Sequence, residues 1–135
     1  MAYAVKQDLI DRYGEAELIQ LTDRASLGII DDTVLGQAIG DAAAEIDGYL
    51  SGRYQLPLAS VPSVLVRIAC DIARYRLYDQ AAAEQVTKRY DDAVAMLRSI
   101  AKGELSLGTD GASAPTVANT AQIESAGSVF SRDKR

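Results

Sequence analysis

Residues 63–102 read SVLVRIACDIARYRLYDQAAAEQVTKRYDDAVAMLRSIAK, a stretch with no glycine and no proline. Apolar side chains recur along it at helical spacing. Leu65, Ile68, Ile72 and Tyr75 form one stripe, and Val86, Tyr90, Val94, Leu97 and Ile100 form another. The phase slips near Asp79, so the stretch is either two helices or one long bent one. Pro62 suits the first turn, and Gly103, following Lys102, suits a left-handed cap. Towards the N-terminus, residues 52–63 hold Pro57 and Pro62 and break the pattern. Before that break, Leu35, Ile39, Ala42, Ile46, Tyr49 and Leu50 mark a longer helix. Asp31 or Asp32 caps it, because a carboxylate there accepts bonds from free amides at the positive end of the helix dipole. Residues 6–13 and 15–22 read as two short helices parted by Gly14. The expected fold is all-α, a small bundle of four to five helices with a long extended C-terminal tail.

The composition narrows the chemistry. With 135 residues and 48% hydrophobic content, the chain can bury one core and is too short for two ordinary domains. It contains no histidine, which removes Ser-His-Asp and Cys-His catalysis and histidine metal sites. A single cysteine, Cys70, allows no intramolecular disulfide and sits between Ile68 and Ile72 as a small buried side chain. The adjacent carboxylates Asp31-Asp32 and Asp91-Asp92 belong to no hard-cation loop. Helix capping and a solvated face account for them. The glycines follow no phosphate-loop order. The expectation is a protein that is not an enzyme, with no catalytic residue, no metal and no cofactor. A net charge of −5 disfavours wrapping around DNA. No apolar run approaches the roughly 20 residues that span a bilayer, and the first residues lack a secretory pattern. The chain is therefore expected in a cytoplasm at synthesis, away from membranes.

Two features exceed this plain reading. Residues 1–52 carry three bases against ten acids, and residues 53–102 carry eight bases against five acids. Such segregation either neutralises itself within one molecule or brings acidic and basic faces of different copies together, as in a head-to-tail ring. The second feature is the row Gly36, Gly40, Ala44, Gly48 and Gly52. Each interior glycine costs a helix roughly 1 kcal/mol relative to alanine, and close approach by a neighbour would explain the row. The candidate subunit interface is therefore Gly40, Asp41, Ala44, Glu45 and Gly48, facing Arg67 and Arg74. After residue 103 the composition changes to Gly, Ser, Thr and Ala. This divides the chain into a helical domain, 1–103, and a linker with a docking segment, 104–135. Ile123, Val129, Phe130 and Arg132 are the candidate docking residues; a frayed terminus is the plain alternative.

The order of these elements resembles the Mu-like phage neck proteins. The resemblance is carried by Leu9-Ile10-Asp11-Arg12-Tyr13-Gly14, by Leu21-Thr22-Asp23, and by Ile46-Asp47-Gly48-Tyr49-Leu50-Ser51-Gly52-Arg53-Tyr54. Leu56-Pro57-Leu58, Arg74-Tyr75-Arg76-Leu77-Tyr78, Arg89-Tyr90 and Phe130-Ser131-Arg132 continue it over nearly the whole chain. It implies a virion structural protein, a head–tail connector or adaptor that forms a ring beneath the portal. The ring would be homo-oligomeric, twelve-fold by that resemblance, and would extend the DNA channel without sequence-specific DNA binding. It would carry the surface where a stopper or tail-terminator protein attaches. The implied location is the virion neck, after assembly in the host cytoplasm. The rival reading is a small helical DNA-binding module, such as a small terminase subunit, that uses the Arg-rich fourth helix.

Overall fold

The computed structural model describes residues 2–78 and 81–107. Among them are five helices: α1 Lys6–Tyr13, α2 Glu15–Thr22, α3 Asp32–Leu50, α4 Ser63–Tyr78 and α5 Glu84–Ala101. The fold is all-α. Two helices, not one, occupy the stretch from 63 to 102: α4 ends at Tyr78, and Ala83 takes an extended conformation (φ −66°, ψ 158°) ahead of Glu84.

Local signals set the helix ends. Asp31 is the cap of α3, its Oδ1 accepting from the Thr33 and Val34 N–H groups at 3.0 and 3.3 Å. Gly14, at φ 92° and ψ 147°, ends α1 through its N–H to the Ile10 carbonyl (2.9 Å) and begins α2. That backbone conformation is open to glycine and costly for any residue with a Cβ. Gly103 closes α5 at φ 84°, as its position after Lys102 suggested.

Helices α3, α4 and α5 pack against one another, and α1 and α2 lie across α4. Leu35, Ile46 and Leu50 of α3 meet Leu65, Ile68 and Ile72 of α4 and Leu97 and Ile100 of α5, all nearly inaccessible to water. Ala38, Ala42, Ala43, Ala69, Ala73 and Ala93 are buried among them. These small side chains let the helices approach closely. Leu9 and Leu18 bring α1 and α2 into the same core. Ahead of α1, Tyr3 is buried and its hydroxyl donates to Asp47 of α3. Between α3 and α4, Tyr54 and Leu58 turn inward, and the Leu56–Pro57 peptide is cis. Packing continues past Gly103: Leu107 is buried, and its N–H donates to the Tyr54 hydroxyl at 3.1 Å.

Candidate functional site

Helix α3 presents one face to solvent. Gly36, Gly40, Asp41, Ala44 and Gly48 are exposed on it. A Cβ built on Gly36, Gly40 or Gly48 meets nothing within 4 Å. Among the described residues, no neighbour makes the close approach that would explain these glycines. Gly40, Ala43, Ala44 and Asp47, with Ala2, line a shallow groove of about 350 Å³. A partner lying there reaches the α3 backbone without displacing a side chain.

The charged residues of the expected interface divide into two groups. Glu45 is engaged inside the chain, accepting from Arg76 Nη2 at 2.7 Å and from the Tyr90 hydroxyl at 2.8 Å. Arg74 is engaged likewise: its Nε and Nη2 donate to the two Glu17 carboxylate oxygens at 2.7 and 3.1 Å. Its guanidinium also lies 4.3 Å from the centre of the Tyr13 ring. Burial opposes the Arg74 charge, and the Glu17 carboxylate more than offsets it, so the pKa rises. At these two positions the acidic and basic halves neutralise each other within one molecule. Asp41 and Arg67 remain exposed. Ile123, Val129, Phe130 and Arg132 lie outside the described residues.

Sequence spacing did not disclose the cleft where α1, α4 and α5 converge. Arg12, Arg67 and Arg89 line it with Tyr13, Asp71 and Asp92, around about 260 Å³. Asp71 is only 6% exposed and accepts from the Tyr13 hydroxyl at 2.7 Å. Burial and that bond push the Tyr13 phenol well above its ordinary pKa. Asp92 pairs with Lys88 at 3.2 Å. Guanidinium forks match carboxylate and phosphate oxygens, so this cleft is suited to an oxyanion. Neighbouring Cys70 is fully buried, and burial raises its thiol to about 11, which leaves it a packing side chain. Among the described residues no group of three or more His, Cys, Asp or Glu is placed to hold a metal ion. No helix there is long and apolar enough to cross a membrane.

The family model described as "Bacteriophage Mu, Gp36" matches residues 3–125, which takes in all five helices. The chain belongs to the phage Mu Gp36 family. It is 40% identical over 132 residues to the "Mu-like prophage FluMu protein gp36" of Haemophilus influenzae, covering 97% of this chain and 94% of that relative. It is 38% identical over 138 residues to "Gene product J" of Escherichia phage Mu, covering 100% of this chain and 98% of that protein. The Mu-like resemblance carried by the order of the sequence elements is thus shown at family level. This Gp36-family chain spans nearly the full length of both relatives.

Proposed function

We propose that this Gp36-family protein is a virion structural protein, a head–tail connector whose copies form a ring beneath the portal. The observation that carries the reading is the bare outer face of α3, where a Cβ on Gly36, Gly40 or Gly48 would meet nothing within 4 Å among the described residues. A surface that gives up helix stability for access to its backbone is suited to a second subunit. In this reading the ring is twelve-fold and extends the DNA channel without sequence-specific binding. A stopper or tail-terminator protein attaches to its far side. The segment around Ile123, Val129, Phe130 and Arg132 docks on the portal or on a neighbouring subunit. The protein acts in the virion neck after assembly in the host cytoplasm, and it needs no enzymatic activity, metal or cofactor for this role. The test is to add purified protein to portal-containing, DNA-filled heads that lack it. Rings at the portal vertex and heads made competent for tails are expected. Heads that neither bind the protein nor gain tails overturn the reading.

The arginine cleft favours a second reading, a DNA-binding module such as a small terminase subunit, since Arg12, Arg67 and Arg89 offer three guanidiniums to one oxyanion. Affinity for duplex DNA that falls steeply with salt would support it. The net charge of −5 weighs against it.

A further inference from the structure

The loop between α2 and α3 is braced from within and turns apolar side chains outward. Asp23 accepts from the Leu27 N–H at 2.8 Å with one carboxylate oxygen and from the Gly28 N–H at 2.7 Å with the other. The buried Thr22 hydroxyl donates to the Leu18 carbonyl at 2.8 Å and accepts from the Asp31 N–H at 2.9 Å. Ser26 (φ 60°) and Gly28 (φ 78°) occupy left-handed conformations within this frame. The result leaves Leu27 69% and Ile29 60% exposed, the largest values among the exposed large apolar residues described. With Ala25 and Ile30 they wall a cleft of about 270 Å³, and Asp23, Asp31 and Asp32 complete its lining. Lys6 offsets Asp32 at 2.8 Å. Arg24 lies instead in the neighbouring groove beside Asp41.

We propose that this cleft receives the chain's own C-terminal segment, Val129-Phe130-Ser131-Arg132-Asp133-Lys134-Arg135. The complement is chemical: an apolar pair followed by three cations and one acid meets apolar walls bordered by three carboxylates. Phe130 is the sole phenylalanine of the chain and follows no helical stripe in the sequence. The length is sufficient. From buried Leu107 to Val129 the chain reaches about 70 Å when fully extended, against a radius of gyration of about 13 Å for a body of this size. The segment can therefore reach the cleft of its own subunit or of an adjacent one. The inference deepens the tail-docking part of the connector reading, rests on it for the premise that this segment docks, and commits to a copy of this chain rather than the portal. Its test needs no heads, so either can fail alone.

The test titrates a fluorescent peptide of residues 123–135 with full-length protein carrying Phe130→Ala, whose own segment is disabled while its helical body is untouched. Saturable binding that weakens as salt rises is expected. Adding Leu27→Asp and Ile29→Asp to that protein should weaken binding by about ten-fold or more, as for loss of central apolar anchors. Circular dichroism should stay unchanged, because both side chains are exposed. A peptide with Phe130→Ala should lose binding similarly, and one with Arg132, Lys134 and Arg135 changed to Ala should lose its salt dependence. No binding of the parent peptide, or equal binding to the Leu27→Asp, Ile29→Asp protein, overturns the proposal.

Discussion

Tyr90 shows how one side chain ties the acidic half of the chain to the basic half. Its ring stacks on Tyr75 at 4.0 Å between centroids, while its hydroxyl donates to Glu45. Burial and that hydrogen bond raise the phenol from 10.0 to about 12. The folded state therefore holds this proton more tightly than the unfolded one. Its stabilising contribution is complete below pH 10 and is lost as pH rises through about 12. Melting temperature should fall across that window in the parent and fall less in Tyr90→Phe, which keeps the stacked ring. A parent curve that is flat there contradicts the account. Arg74 is a second such tie. Arg74→Met keeps much of the stem but strands Glu17, and should cost about 1–3 kcal/mol, read as a lower midpoint in urea. Neither partner was legible in the sequence. Arg67, Asp71 and Arg74 share one helical face by spacing, but spacing names the face and not the element across it. Here that element is the α1–α2 pair, which presents Tyr13 to Asp71 and Glu17 to Arg74.

At the scale of elements, the helices were legible because each carries an apolar stripe of helical period and a local stop. The two-helix division of residues 63–102 needed the structure, since neither glycine nor proline marks it. Helix α3 yields a test in which stability and assembly part company. Gly40→Ala lies mid-helix and Gly48→Ala in the last turn of α3, and an added Cβ at either meets nothing within 4 Å among the described residues. Each should stabilise the isolated protein by about 0.5–1 kcal/mol. The same methyl groups stand where a neighbouring subunit would approach, so ring formation on heads should weaken. Variants that melt higher and assemble as well as the parent would remove α3 from the interface. The charge test narrows correspondingly. Glu45 and Arg74 are committed within the chain, so Asp41→Lys with Arg67→Glu as its compensating change is the informative pair. Assembly should be lost in the first and partly restored in the double variant.

At the scale of the whole molecule, packing among the described residues runs a few positions past Gly103. Composition turns polar after Gly103, which conceals Leu107, one of two leucines there with no helical stripe around them. The structure buries it beside Tyr54. Truncation after Leu107 should leave the melting temperature within about 5 °C of the parent, a change of roughly 1 kcal/mol in a body of this size. Truncation after Lys102 removes Leu107 and the cap at Gly103, and should lower it further. Equal midpoints for the two truncations would show that Leu107 adds nothing to the fold.

The strap of α1 and α2 across α4 also sets a timetable for birth on the ribosome. Glu17 meets its partner 57 residues downstream, and Tyr13 meets its partner 58 downstream. At a synthesis rate of about 5–20 residues per second, these short helices are made some 3–11 seconds before the surface that holds them. Helices of eight residues do not persist alone in water. During that interval the emerging chain is an acidic polymer that repels itself, and the arrival of α4 supplies both the apolar wall and the cations that let it condense.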